Sequence, residues 1–429
     1  MGFLENVALS TSAEHITLLK AIITLMLVIH IPYVSIVMGG AFFSFVFSAL
    51  DKRESNPIHL RFSRELIELV TSKRSAPALL GILPLFTLIL AFSQLYQGSG
   101  FKIANYLLIV ALLAVAGFVL LYFYKGSFSN RDRLFPLHIL LGLGAVLAFF
   151  GGYIILASTT SLIFFPEKWA FVNTPFPLFI YENEIPRHGM FLFFTFALTG
   201  AAILYFYFSW PERKKDLDPD YANFVKKFAA ILALVSVLLQ PIFIGWNLLT
   251  FPDAASSETV FAVWGVTLFM LMVISMLLYS SLNSANQRFS GVVFILFLAT
   301  FIVMTVNDQI AAGNANFERE KLLAKKAEEI HQQILAAREG RQEAATQVDG
   351  TAVFNRICVA CHTFDTRLVG PPYMSVLPKY VDNEDALIEF IMNPAKIDPD
   401  YPPMPNQGVK KAEATAVAEY LMEEFAKRQ

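Results

Sequence analysis

The sequence is short of charge. Lys, Arg, Asp and Glu make up 16% of 429 residues, where a soluble domain carries about a quarter. That excludes a disordered chain, a coiled coil and an ordinary soluble enzyme. Basic and acidic residues number 33 and 35, a formal charge of -2, so no positive excess exists to hold nucleic acid. Cysteine is scarcer still. Cys358 and Cys361 are the whole complement, too few for a disulfide framework. What abounds is apolar: 55% of residues are hydrophobic and 14% aromatic, with mean hydropathy +0.53. This is the composition of a membrane protein carrying an additional part.

A bilayer core needs about 20 apolar residues per spanning helix. Eight stretches free of Asp, Glu, Lys and Arg are long enough: Ala21–Leu50, Ser75–Phe101, Ile103–Tyr124, Leu134–Pro166, Gly189–Trp210, Phe228–Pro252, Val260–Gln287 and Ser290–Asn307. They are continuous rather than alternating, so helices are expected and the fold class is all-α. Pro32, Pro84 and Pro241 sit inside spans, where a kink is expected. Loops 51–74, 125–133, 211–227 and 283–289 hold 15 Lys or Arg, against 4 in the segments on the other side. The first set is therefore expected to face the cytoplasm, with both termini outside. Met1–Lys20 has no basic n-region or cleavage site of a signal peptide.

After Asn307 the composition shifts. Phe317–Gln347 mixes Glu, Lys and Arg with Ala and Leu, which predicts a solvated helical stalk with i,i+4 pairs, the alternative being a disordered linker. The expected domains are a transmembrane bundle over 1–312, a helical linker over 313–348 and a C-terminal module over 349–429.

Cys358-Val359-Ala360-Cys361-His362 is a C-x-x-C-H run, the pattern of covalent c-type haem attachment. Two thiols bond the porphyrin, and His362 takes one axial position on iron. A thioredoxin-like pair would need a surrounding βαβ pattern, which is absent. With Asp349–Cys358 ahead of it, Gly370-Pro371-Pro372-Tyr373 after it, Pro403-Met404-Pro405, and a closing helix over Lys411–Ala426 with Ala414, Val417, Leu421 and Phe425 on one apolar stripe, residues 349–429 resemble class I cytochromes c. The resemblance implies Met404 as the second axial ligand. Met374 and Met392 compete for that place, but Met392 sits in a helical pattern and Met374 is close in sequence to His362. A Met/His pair gives a comparatively high potential. The resemblance also implies haem attachment outside a bacterial cytoplasmic membrane.

Ionisable residues within a membrane are functional candidates. His30 lies in the first span, His138 starts the fourth, and His188 stands at the outer mouth of the fifth. Each is either hydrogen-bonded between helices or an axial ligand of haem b. His15, His59 and His331 read as solvated. Leu27–Tyr33 with Gly39-Gly40-Ala41-Phe42, Leu156-Ala157-Ser158 and Pro186-Arg187-His188-Gly189 follow in an order similar to subunit I of cytochrome bd quinol oxidases. That resemblance implies His188 as a ligand of the quinol-side haem b and His30 as a ligand of the oxygen-site haem. The chain departs from the family in four ways. No Asp or Glu occurs between Glu68 and Asp132, the Gly-Arg-x-Pro-Trp motif is absent, the quinol loop shrinks to Phe251–Thr259, and Val263 and Trp264 stand where the family's axial methionine is expected early in span seven, with Met270 and Met272 deeper. Oxygen reduction, which needs a proton path, is therefore not expected.

The resulting expectation is a fused bc-type electron-transfer protein, with one covalent haem c, one or two haems b and membrane quinone as substrate. Glu182, Glu184 and Arg187 are the candidates for the quinol site. A periplasmic redox partner or cytochrome c would receive the electrons, in company with other membrane subunits. The rivals are a bd-like oxidase subunit, a relay subunit of a larger periplasmic oxidoreductase, and an anchor with no haem b.

Overall fold

The computed structural model describes residues 12–54, 56–96, 103–172, 183–210, 217–283, 289–346 and 348–429. It is helical, with no strand among the described residues. The chain divides into two compact units, Met1–Ala327 and Glu328–Gln429.

Among the described residues, eight helical segments of the first unit are long and apolar enough to cross a membrane. They are α1 (Ala13–Glu54), the segment Pro77–Leu95 that ends in α3 (Leu83–Leu95), α4 (Ile103–Ser127), α5 (Phe135–Ser161), α6 (Glu184–Phe208), α7 (Pro219–Leu249), α8 (Glu258–Asn283) and α9 (Ser290–Ala315). Each expected span falls on one of them. The first is longer than its apolar run, because its helix continues through the charged ends at Glu14, Lys52 and Arg53. α1 is the hub, packing on α3, α5, α6 and α9, while α4 pairs with α5 and α6 with α7. The α6–α7 approach is close enough that a Cβ on Gly200 would meet the Ala229 carbonyl and the Ala233 side chain. Outward-facing Leu112, Leu140 and Ile295 are all more than 60% exposed. In water such a belt would aggregate; in lipid it is the expected outer surface.

Proline shapes the second span. Pro84 has no N–H to give a carbonyl one turn back, and the preceding turn, Pro77–Ile82, is wound as a π-helix. The buried His30 ring turns toward the backbone of Leu80 and Gly81 in that turn. Wide turns of this kind let a side chain reach carbonyls the regular ladder leaves free.

One helix was not legible as such. α2 (Pro57–Val70) lies in the 51–74 connection, with Phe62, Ser63, Leu66, Ile67 and Leu69 buried. Asn56 caps it, its Oδ1 accepting from the Ile58 N–H at 3.0 Å. Its charges had marked it as polar loop, yet apolar residues three and four apart give it one buried face. His59, expected in solvent, is half-buried, its ring 5.3 Å from that of Phe47 and 5.8 Å from that of Phe224.

α10 (Phe317–Thr346) is the expected charged helix. Its first turns belong to the bundle. Lys20 Nζ meets Glu320 Oε2 at 2.6 Å, and Arg319 donates to the Leu95 carbonyl at 2.9 Å while lying over the Tyr96 ring.

The second unit is built from α11 (Gly350–Val353), α12 (Tyr373–Val376), α13 (Glu384–Met392) and α14 (Lys411–Arg428). The expected stripe on the closing helix is its core: Ala414, Val417, Leu421 and Phe425 are buried, with Ala418, against Val353, Phe354, Leu387 and Ile391. Asp349 opens α11, its Oδ1 accepting from the Thr351 N–H at 2.9 Å.

Candidate functional site

In the second unit α11 runs into a π-turn, Phe354–Cys358, which delivers the C-x-x-C-H run. The Cys358 carbonyl accepts from the N–H groups of Cys361 and His362 at 3.1 and 3.0 Å, closing that run into a tight turn. The Cys361 carbonyl accepts from Gly370 at 2.8 Å, tying the Gly-Pro segment to the motif. Cys358 and Cys361 are unpaired thiols, each half-buried. Burial pushes the Cys358 thiol up, opposed by a bond with the Tyr373 hydroxyl.

His362 is held in one orientation. Its Nδ1 donates to the Pro371 carbonyl at 3.0 Å, and Tyr373 lies against it with ring centroids 5.0 Å apart. A Cβ on Gly370 would drive into the imidazole, so that position admits only glycine without a shift of the ring. With Nδ1 committed to a carbonyl, Nε2 is the nitrogen free to bind a metal.

A cavity of about 1090 Å³ opens beside this ring, lined by Cys358, His362, Tyr373, Leu377, Ile391 and Met404 among others. It brings together one thiol, one oriented imidazole and one thioether within apolar walls. Of the three candidate methionines, Met404 alone lines it; Met374 and Met392 pack on the core instead. Among the described residues, no group of three or more His, Cys, Asp or Glu side chains forms a bare metal site. A His/Met donor pair with adjacent thiols suits a metal carried in a covalently attached macrocycle.

The three bundle histidines sit in different surroundings. His138 has no exposed surface; its Nε2 bonds Ser48 Oγ at 2.9 Å and its Nδ1 bonds Ser127 Oγ at 2.7 Å. Tyr124 and Phe128 enclose the ring at 4.6 Å. Beside it the buried Arg131 bonds Ser48 and pairs with Asp51 at 2.8 Å. Both ring nitrogens are committed, so His138 ties α5 to α1 and to the end of α4.

His30 and His188 each keep a buried Nδ1 without a hydrogen-bond partner. His30 lines a cavity of about 410 Å³ with Met38, Val110, Phe149 and Tyr153. His188 Nε2 bonds Ser158 Oγ at 3.1 Å, and Tyr153 donates its hydroxyl to the His188 carbonyl at 2.8 Å. Ser158 also donates to Glu184 Oε2 at 3.3 Å, placing this buried carboxyl 4.0 Å from His188 Nε2.

The structure separates the residues grouped as quinol candidates. Glu182 lies outside the described residues. Glu184 faces inward to Ser158 and His188. Arg187 turns to a second cavity, of about 950 Å³, and pairs with Asp308 on α9 at 2.7 Å. Asp308 was missed in the sequence: it follows Asn307, where the apolar run stops, and reads as the first residue of a polar segment. The signal available was its position where the last apolar run stops, on the side expected to hold the mouth of the fifth span.

Comparison with known proteins bears on the second unit. No family model matches the chain, and no solved structure matches it. Cytochrome c-552 of Nitrosomonas europaea is 30% identical over 81 residues, 18% of this chain and 78% of that protein. Cytochrome c-551 of Pseudomonas aeruginosa is 35% identical over 71 residues, 16% of this chain and 68% of that protein.

Proposed function

Because this chain belongs to the cytochrome c family through its C-terminal part, we propose that it is a membrane-bound bc-type cytochrome. In this reading it takes electrons from a membrane quinol through haem b in the bundle and passes them through haem c to a periplasmic acceptor. The observation that carries it is the pocket in which Cys358, the oriented His362 and Met404 meet. Bound there, haem c supplies one-electron transfer at its iron.

Cys358 and Cys361 would anchor the macrocycle by thioether bonds. His362, its tautomer fixed by Pro371, would hold the iron through Nε2, and Met404 would hold it through sulfur. Tyr373, Leu377 and Ile391 would exclude water from the bound group, and a Met/His pair would give it a comparatively high potential. Such a centre suits an electron acceptor downstream of quinol.

In the bundle, His188 and His30 are the residues to hold haem b, since each retains a buried ring nitrogen free of other partners. His138 is the weaker choice because both its nitrogens are engaged. Ser158, shared by His188 and Glu184, orients the imidazole as ligating histidines require. The excess of 15 basic residues against 4 across the loops supports an inner-membrane protein with the haem c unit outside. Further membrane subunits and a periplasmic redox partner complete the assembly. The test is direct: the purified chain is mixed with quinol, and reduction of the thioether-linked haem is followed. Rapid reduction agrees with the reading; a haem c that quinol never reduces contradicts it.

A further inference from the structure

The cleft that holds Arg187 is bounded by α1, α3, α5, α6 and α9. Its walls are mostly apolar, with Leu27, Ile31, Phe194 and Met304 among them, and its polar side chains are Tyr153, Thr160, Arg187, Thr305, Asp308 and Gln309. Among the described residues lining it, only Arg187 and Asp308 carry charge, and they face each other, Nη2 to Oδ2 at 2.7 Å and Nη1 to Oδ1 at 3.4 Å. Arg187 is pinned over the Phe164 ring and is only 12% exposed, whereas Asp308 is 34% exposed. The cleft also shares a wall with the cavity at His30: Ile31, Tyr153, Leu156 and Phe191 line both.

A cleft with a single ion pair in a mostly apolar lining matches a ligand with a small polar ring and a hydrocarbon tail. A phospholipid head would bring a phosphate to the Asp308 carboxylate. A quinol brings two hydroxyl groups instead, one of which can donate to that carboxylate. We propose that this cleft binds the quinol ring and that Asp308 is the base that receives its protons. This rests on the quinol reading above and moves the site from the Glu184 side of α6 to the α6–α9 contact.

Oxidation of one quinol releases two protons and two electrons. A ring hydroxyl O–H breaks to Asp308 Oδ, and the carboxyl, open to the cleft mouth, sheds that proton to water. The second hydroxyl proton follows by the same carboxylate. The two electrons leave singly to two equivalents of an external one-electron acceptor, a relay that the haem groups held by this chain would supply. Arg187 aims the carboxylate into the cleft and helps to hold the quinol in place.

The experiment uses the full chain in vesicles of phosphatidylethanolamine and phosphatidylglycerol, with decyl-tailed benzoquinol and a short-tailed naphthoquinol as probes. Asp308→Asn should lower the maximal rate of haem c reduction about 100-fold with KM changed less than about threefold, the scale of a lost general base. Asp308→Glu should recover most of the rate. Arg187→Gln breaks the same ion pair but keeps the base, and should raise KM about tenfold while the maximal rate stays within about threefold. Dithionite-reduced spectra identical to wild type exclude misfolding. A wild-type rate in Asp308→Asn overturns the proposal while the quinol reading stands. Equal loss of maximal rate in both variants also overturns it, because the pair would then be structural only. A wild type inert to both quinols removes the quinol reading and this inference together.

Discussion

The two units solve the burial of apolar surface in opposite ways. In the second unit the apolar residues of α14 turn inward, and Val417, Ala418 and Leu421 are almost wholly buried. In the bundle, helices of similar apolarity on every side leave Leu112, Leu140 and Ile295 facing out. The first must hold its core against water; the second needs only specific polar contacts and close packing, because lipid covers the rest. The sites differ accordingly. The cavity at His362 is defined by a short contiguous motif plus one loop methionine. The bundle histidines are defined by partners from distant helices.

The largest effect should come from the motif. Replacing Cys358 and Cys361 together by Ala should abolish thioether-linked haem, read by in-gel haem staining, while b-type absorbance remains. Retention of covalent haem would break the distinction between the units. Within the bundle, His188→Ala should remove a b-type band and leave the c band. His138→Ala should leave both pigments and instead cost about 0.5–1.5 kcal/mol for each of the two hydrogen bonds lost, since Ser48 keeps Arg131 and Ser127 keeps the Tyr124 carbonyl, seen as a lower denaturation temperature with pigments intact. If His138→Ala bleaches a b band, the contrast between these histidines fails.

Met404→Ala should keep haem attached but lower its midpoint potential on the order of 0.2 V, a fraction of the roughly 0.8 V that axial ligands span. An unchanged potential would return Met374 or Met392 to contention. Apolar truncation sharpens the comparison further. Phe425→Ala, in the core of the second unit, should cost about 3–5 kcal/mol, whereas Leu140→Ala on the outer face should stay within about 0.5 kcal/mol. Chemical denaturation followed at each pigment distinguishes the two.

The smallest effect concerns Glu413, whose carboxyl is held below its usual range by Arg356 and by the Lys410 backbone N–H. A folded-state pKa below the unfolded one stabilises the fold above the unfolded value, and that contribution disappears as pH falls through the folded value. Wild type and Glu413→Gln should therefore differ slightly at neutral pH and converge in acid, as thermal melts at several pH values will record.

The sequence made the spans and the C-x-x-C-H run readable because both are local: an apolar run of sufficient length and five consecutive residues. The stripe Ala414, Val417, Leu421, Phe425 was readable for the same reason, as a periodicity within one helix. α2 was hidden because its buried face alternates with Arg61, Arg64, Glu65 and Glu68. The anchoring of His138 depends on Ser48 and Ser127, one of them 90 positions away. The Arg187–Asp308 pair joins residues 121 apart, and no spacing rule reports such a contact. Pro84 announced a disturbance, but its form, a π-turn facing His30, follows from packing against α1.

The measurement that bears most directly on the whole account is a pigment analysis of the purified chain joined to a redox titration. The account predicts non-covalent b-type haem together with one thioether-linked haem per chain, titrating at separate potentials with the covalent one higher. Thioether-linked haem alone, titrating as a single centre, would contradict it.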